Sequence, residues 1–291
     1  MNEITQAYDA LIARFVQWAQ AEEDIRAAIV VGSRARADQP ADEWSDLDVT
    51  MFVRDPERYL SSSDWVQAMG HPWVAFVERT ADGLGRERRV LFEGGLDVDL
   101  AIYPASLLDQ MSKTGVSADA AATIRRGVRV LLDKDRLLEP LQASLPEPQP
   151  YRPPSQVEFL ELVNDFWYHT VWTAKKLRRG ELWTAKSCND NYMKWRLLQL
   201  VEWHARATKG WDYDTWHSGR FLEKWADPRI VKQLGATFAH YEESDVWRAL
   251  WAGMDLFRWV AIETASRLGY EYPTPADEYS TGLVKTLAEK S

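Results

Sequence analysis

The first half of the chain contains short apolar or alternating segments separated by polar turns, a pattern typical of a β-sheet. Gly94 and Gly95 separate the fourth and fifth segments, which predicts an antiparallel hairpin. Apolar residues at helical spacing over 3–20 predict an amphipathic helix on the sheet, and a further helix is expected over 109–127. We therefore expect a mixed sheet flanked by helices. The predicted strands are 27–31, 47–53, 73–77, 89–92, 96–103 and 128–132.

The second half has apolar residues at helical spacing throughout, which predicts a helical bundle and an α+β chain as a whole. Six prolines in 138–154 predict a linker, because proline continues neither a helix nor a central strand. Ser155 and Glu158 have the spacing of a helix capping box. From about Thr274 the apolar pattern fades, and the end of the chain is expected either to wrap back or to fray. The predicted parts are a catalytic domain 1–137, the linker 138–154 and a helical domain 155–291.

Aspartates lie in pairs on two of the predicted strands. Asp46 and Asp48 share the polar face at the start of the second strand, and Asp97 and Asp99 share that of the fifth. Two like charges this close repel each other unless something compensates them, and Mg²⁺ prefers carboxylate oxygens. An isolated Asp-x-Asp is often only a solvated strand edge. If the two strands are neighbours, the acids predict a site for one or two Mg²⁺ ions and a nucleotide.

A Gly-Ser pair follows the first predicted strand. Gly32 allows the backbone to approach a ligand closely, and Ser33 offers N–H and hydroxyl donors to phosphates. Arg34 is predicted to contact phosphate, with a surface ion pair to a nearby aspartate as the alternative. Lys134 is a further candidate for the triphosphate, with an exposed turn lysine as the alternative.

The net charge of −9 is concentrated in the first half of the chain. Residues 1–150 contain 25 acids and 16 bases, whereas residues 151–291 contain 19 of each. An acidic catalytic half disfavours a nucleic-acid substrate, because phosphate backbones bind to basic surfaces. It suits a cationic small molecule.

Composition places few other constraints on the function. No apolar run reaches the length of a membrane span, and no signal peptide is recognised. The single cysteine, Cys188, excludes an internal disulfide and a cysteine zinc cluster. We expect a cytoplasmic protein that does not bind membranes.

Several short segments carry a family resemblance: they are 32–35 (GSRA), 42–43 (DE), 46–48 (DLD), 52–53 (FV), 64–65 (DW), 99–100 (DL) with Pro104, 133–135 (DKD), 164–167 (NDFW) and 268–273 (LGYEYP). The glycine turn and the three acids resemble the polymerase-β-like nucleotidyltransferases. More narrowly, the whole set resembles the aminoglycoside 6-adenylyltransferases that modify streptomycin. The similarity extends over most of the chain.

This resemblance implies transfer of AMP from ATP, with Mg²⁺, to a hydroxyl of an aminoglycoside. Streptomycin modified at its 6-position is the expected acceptor, and pyrophosphate release and antibiotic resistance are the expected consequences. Asp46 and Asp48 would hold metal, and Asp99 would complete the metal site or accept the proton of the attacking hydroxyl. The sequence leaves these two roles of Asp99 open, and a monomer or a homodimer is equally compatible with it.

The acceptor is expected in a cleft between the domains. Asp97 is a candidate contact, and because it shares a face with Asp99 it is also a second candidate for the role of that residue. Asp165 and Asp190 are candidates for binding guanidinium groups, since the resemblance covers their helices; ordinary helix-surface ion pairs are the alternative.

Three other functions remain open. The same chemistry could serve another acceptor, such as a protein side chain or a small alcohol. A polymerase or tRNA nucleotidyltransferase is disfavoured by the acidic first half. A non-catalytic nucleotide-binding module is disfavoured by the presence of acids at all three positions.

Overall fold

The computed structural model describes residues 3–80 and 83–289, and the chain divides into two compact units, Met1–Pro148 and Gln149–Ser291. The division falls inside the segment predicted as a linker. The outermost predicted domain bounds, residues 1 and 291, lie outside the described residues.

The first unit is built on a six-stranded sheet with the strand order β3-β4-β5-β2-β1-β6. Its central pair, β2 and β5, is parallel, and the other pairs are antiparallel, so the sheet is mixed as predicted. The predicted hairpin at Gly94 and Gly95 is confirmed, because β4 and β5 pair on either side of it. The strands are β1 (Ile25–Val31), β2 (Leu47–Val53), β3 (Pro72–Arg79), β4 (Arg86–Phe92), β5 (Leu96–Pro104) and β6 (Arg129–Asp133).

Helices cover both faces of this sheet. Helix α1 (Glu3–Ala21) buries one face together with the alternating apolar residues of β2 and β5, as predicted. Leu108, Ala121 and Leu141 cover part of the other face. The other helices of the unit are α2 (Pro56–Ser61), α3 (Ser106–Thr114), α4 (Ala118–Arg126) and α5 (Leu138–Ala143).

Two predictions about helices in this unit are corrected by the structure. The single helix expected over 109–127 is two helices, because Gly115 takes a φ of +86° and Ser117 caps α4. Residues 138–143, predicted as linker, form α5, whose Leu138 and Leu141 are buried. Pro140 lies in the first turn of α5, where a missing N–H leaves no helical hydrogen bond unmade.

The second unit is helical, as predicted. The capping box at Ser155 and Glu158 is confirmed at the start of the first helix. None of the helices in residues 3–80 and 83–289 has the length and apolarity needed to cross a membrane. The helices are α6 (Gln156–Arg178), α7 (Leu182–Ser187), α8 (Met193–Lys209), α9 (Leu222–Trp225), α10 (Pro228–Leu234), α11 (Glu243–Leu268) and α12 (Thr274–Glu289).

The end of the chain from Thr274, expected either to wrap back or to fray, forms α12 and packs back against α6. Its buried positions include Asp277, Ser280 and Val284, so it has no continuous apolar stripe. The carboxylate of Asp277 instead accepts hydrogen bonds from Arg258 at 2.7 and 2.8 Å. Paired polar groups hold α12 in place, and hydrophobic periodicity does not detect such pairs.

Candidate active site

The parallel pairing of β2 with β5 brings the predicted acids together. Asp48 is directly opposite Asp99 in the register, and Asp46 immediately precedes β2. Carboxylate oxygens of Asp46, Asp48 and Asp99 lie within 4.8 Å of one another, and each residue is partly buried. We call these three residues the acid triad. Three carboxylates at this separation form a ligand set suited to a hard divalent cation.

The Gly-Ser turn lies against the acid triad because Val31, the last residue of β1, pairs with Asp48. Gly32 has a φ of +70°, and a Cβ at this position would fall 2.0 Å from Oδ2 of Asp48. Only glycine fits here without displacing that carboxylate. The hydroxyl of Ser33 is buried and has no hydrogen-bond partner among the described residues. A ligand oxygen would satisfy it.

Arg34 holds the segment that leads into β2. Its Nε donates to the carbonyl of Asp46 at 2.9 Å and its Nη2 to that of Ser45 at 2.6 Å. The guanidinium stacks on the ring of Tyr8, 3.5 Å from the ring centroid. These contacts make Arg34 a positioning residue for Asp46, which differs from the phosphate contact predicted from the sequence.

Asp97 lies at the start of β5, on the same face as Asp99, and is exposed. The hydroxyl of Tyr8 donates to its Oδ1 at 3.0 Å. Asp97 therefore lies beside the acid triad with its carboxylate accessible to solvent.

Arg89 is part of the site and was missed by sequence reasoning. It lies opposite Asp99 in the β4–β5 register, and its Nη1 is 3.0 Å from Oδ2 of Asp99. The same guanidinium forms ion pairs with Glu78 and Glu87. The run Arg86 to Arg89 looks like an ordinary charged strand, so only the register reveals which residue faces the acids.

Burial and charge set the electrostatics of the site. Burial raises the pKa of Asp99 to about 6, although the guanidinium of Arg89 favours the ionised form. Burial also raises the pKa of Glu87, against the effect of Arg89. A carboxylate whose pKa is raised by burial and by its acidic neighbours gains most from a nearby cation.

The structure does not bring Lys134 to the acid triad. It follows β6, and its backbone N–H donates to the carbonyl of Arg26 at the start of β1. Gly32 follows the other end of β1, about 20 Å away at the usual rise per residue. The ammonium of Lys134 donates to the carbonyls of Ala19 and Glu22 at 3.1 and 2.6 Å. The predicted triphosphate contact is therefore corrected to a role at the end of α1.

Asp165 and Asp190 belong to the second unit, and both carboxylates are paired inside it. Asp165 lies 2.9 Å from Nε of Arg196 and accepts a hydrogen bond from the hydroxyl of Tyr192. Asp190 forms an ion pair with Lys186. These are the helix-surface ion pairs that the sequence left as the alternative.

Comparison with known proteins supports the class that the acid triad suggests. The sequence profile of the streptomycin adenylyltransferase family matches residues 5–286. The protein is an enzyme of the nucleotidyltransferase class, and the chain belongs to the streptomycin adenylyltransferase family.

Individual relatives resemble the chain over nearly its full length. An aminoglycoside 6-adenylyltransferase from Campylobacter jejuni is 24% identical over 98% of this chain and 96% of its own. One from Bacillus subtilis (strain 168) is 25% identical over 93% of both chains. A crystal structure of an aminoglycoside 6-adenyltransferase from Bacillus subtilis covers 100% of both chains with 21% identity and a TM-score of 0.47.

Proposed function

We propose that the protein transfers AMP from ATP to the 6-hydroxyl of streptomycin and releases pyrophosphate. The observation that carries the proposal is the convergence of Asp46, Asp48 and Asp99 within 4.8 Å beside a glycine turn. The family profile and the names of the relatives supply the acceptor class and the position modified. Adenylylation of this kind would inactivate the antibiotic.

The residues present fit a magnesium site. Three carboxylates offer hard oxygen ligands at short mutual distances, and burial makes the charge of Asp99 costly to a degree that Arg89 only partly offsets. We assign one or two Mg²⁺ ions to the acid triad. Bound there, Mg²⁺ would neutralise charge on the phosphates during transfer. Asp99 retains both proposed roles, as a ligand or as the acceptor of the hydroxyl proton.

The glycine turn is the proposed phosphate site. Its backbone approaches Asp48 as closely as a residue without a Cβ allows, and the unpartnered hydroxyl of Ser33 is available to a phosphate oxygen. In the reaction the acceptor oxygen bonds to the α-phosphorus, and the bond from that phosphorus to the bridging oxygen breaks. Pyrophosphate leaves with the bridging oxygen, and the hydroxyl proton passes to a carboxylate or to water.

For the acceptor we retain Asp97 and make no assignment for Asp165 or Asp190. Streptomycin carries two guanidinium groups and an amine, and an exposed carboxylate two residues from Asp99 can attract such a cation. The carboxylates of Asp165 and Asp190 are already neutralised by cations of their own unit.

The test is pyrophosphate release by purified protein with Mg²⁺ and ATP, with streptomycin, kanamycin, spectinomycin or no acceptor. We expect release that depends on streptomycin and on Mg²⁺. Mass spectrometry of the modified drug and of its fragments then locates the added AMP. Release with a different acceptor would retain the chemistry and replace the substrate. ATP binding with no release in any reaction would contradict the proposal and favour a binding module.

A further inference from the structure

The second unit contains a cavity that the proposed reaction does not use. It has a volume of about 320 Å³ and lies between α8, α9 and α10. A cavity of this size is within the range of small-molecule sites. Half of its twelve lining residues are aliphatic, and they include Leu198, Val201, Leu222, Ile230 and Leu234.

One lysine lines this apolar cavity. The ammonium of Lys194 donates to the backbone carbonyl of Asn189 at 2.8 Å, and this is its single hydrogen bond among the described residues. Burial lowers its pKa to about 8, against the opposing effect of Asp190. Two of its three N–H donors are therefore available to a ligand, and a partly buried cation gains from using them.

The charges around the cavity favour an anionic group. Asp190, at the edge of the cavity, is paired with Lys186 and accepts an amide hydrogen bond from Asn189 at 2.7 Å. Lys186, Asp190 and Lys194 together carry a net charge of +1, in contrast to the acidic first unit. A cationic aminoglycoside would be repelled here, whereas a carboxylate would complete the pairing of Lys194.

Aromatic rings at the rim favour a flat ligand. Phe238 and Trp195 both line the cavity, yet they are 45% and 52% exposed. The ammonium of Lys194 lies 5.1 Å from the centroid of the Phe238 ring. An aromatic ring in the cavity would pack against Phe238 and the aliphatic wall while its acid group reached the lysine.

The backbone around the cavity is unusual in two places. Residues 216–221 include three non-glycine residues with positive φ, namely Trp216, Ser218 and Phe221, and Gly219 from this segment lines the cavity. The π-helical turn Cys188–Tyr192 contributes Asp190 and Asn191 to the wall. Strained backbone and π-helical turns both occur frequently at ligand sites.

From these features we infer that this cavity is a binding site for a small aromatic carboxylate. The carboxylate binds the free N–H donors of Lys194, and the ring lies between Phe238 and the leucines of the wall. The site needs neither ATP nor Mg²⁺, so it is independent of the proposed adenylyl transfer.

The test is calorimetric titration of the full chain with naphthoate and with the neutral analogue naphthalenemethanol, without ATP or Mg²⁺. We expect saturable naphthoate binding that Lys194→Met weakens about tenfold or more, because a charge-assisted hydrogen bond is lost. Lys232→Met is the matched control, since it removes the same charge from an exposed residue of α10 that does not line the cavity. It should change the affinity by less than about threefold, an effect of surface charge alone.

A second variant tests whether binding needs the volume of the cavity as well as the charge of Lys194. Leu234→Trp fills the cavity, leaves Lys194 in place and should abolish binding. The inference is overturned if naphthoate shows no saturable binding, if the neutral analogue binds as tightly, or if Lys194→Met and Lys232→Met behave alike. Displacement of naphthoate by streptomycin would also overturn it, because the cavity would then belong to the acceptor.

Discussion

The acid triad of the first unit and Asp277 of the second unit are two opposite arrangements of buried acids. Asp277 is 5% exposed, and it accepts hydrogen bonds from Arg258 at 2.7 and 2.8 Å and from the hydroxyl of Tyr272 at 2.7 Å. In the acid triad, three carboxylates converge within 4.8 Å, and the guanidinium of Arg89 contacts Asp99. The guanidinium of Arg258 matches the charge of Asp277, whereas the acid triad concentrates negative charge that an external cation would relieve. The first arrangement stabilises the fold, and the second indicates a site of function.

The largest expected effect is on activity, in the acid triad. Asp48→Asn should lower the rate of adenylyl transfer at least about a hundredfold, because charge stabilisation through the metal is lost. The same variant should unfold at an equal or higher urea concentration than wild type without Mg²⁺, since it reduces like-charge repulsion. Near-normal turnover would contradict the assignment of Asp48.

The matching change in the second unit should lower stability and leave activity nearly unchanged. Asp277→Asn is expected to lower the free energy of unfolding by about 2 kcal/mol, because Arg258 loses its buried charge partner. Equilibrium urea denaturation measures this loss. Adenylyl transfer by the folded variant should remain within about threefold of wild type, since surviving folded protein retains the acid triad. A variant as stable as wild type would show that the Arg258 pair contributes nothing.

The glycine turn allows a more local test. Gly32→Ala and Gly94→Ala both place alanine at a positive φ, at +70° and +83°, and each should cost about 1 kcal/mol of stability. Only Gly32→Ala puts a Cβ against Asp48, so it alone should lower activity, by about tenfold or more. Gly94→Ala has open space around it and is the control. Equal activity of the two variants would contradict the role of Gly32.

The alternation of β2 and β5 was enough to predict the acid triad. Asp48 and Asp99 lie on the polar faces of strands whose other faces are apolar, and Asp46 continues the same alternation just before β2. Only the adjacency of the two strands was left to the structure. Gly32 could also be predicted, because a backbone turn that approaches a ligand at the end of a buried strand favours a residue without a Cβ.

Contacts that depend on strand direction or on polar pairing could not be predicted. Lys134 is close to the glycine turn only if β6 runs parallel to β1, and it runs antiparallel. Arg89 becomes part of the site through its register with Asp99. Arg88 is 5% exposed in a charged run, because it donates to the carbonyls of Tyr59 and Leu60. The apolar pattern contains no information on any of these pairings.

The pH dependences of stability in the two regions are expected to be opposite. The raised pKa of Asp99, about 6 against an ordinary 3.8, favours the protonated form in the folded protein without metal. The protonated carboxyl of Asp99 therefore contributes fully to folding stability below the pKa of the unfolded chain. This contribution is lost as the pH rises through about 6. Asp99→Asn should therefore be more stable than wild type by up to about 3 kcal/mol at about pH 7, and the difference should shrink toward pH 4.

For Asp277 the sign is reversed. Although burial opposes ionisation, Arg258 and Tyr272 lower the pKa of Asp277 below its ordinary value of 3.8. The ionised carboxylate of Asp277 therefore contributes to folding stability above pH 3.8. This contribution is lost as the pH falls through the lower pKa of the folded protein. The advantage of wild type over Asp277→Asn should therefore persist at neutral pH and shrink below about pH 4. Urea denaturation in EDTA across this range measures both differences. Parallel slopes for the two variants would contradict the contrast between the regions.

The most direct test of the central claim is Mn²⁺ binding, followed by electron paramagnetic resonance, in wild type, Asp48→Asn and Asp277→Asn. Mn²⁺ accepts the same hard oxygen ligands as Mg²⁺, and its electron paramagnetic resonance signal measures the concentration of free ion. In the presence of ATP, we predict saturable Mn²⁺ binding to wild type and to Asp277→Asn. For Asp48→Asn, we predict no more Mn²⁺ binding than ATP alone accounts for. Equal Mn²⁺ binding by all three proteins, or no binding by wild type, would contradict the assignment of the acid triad as the metal site.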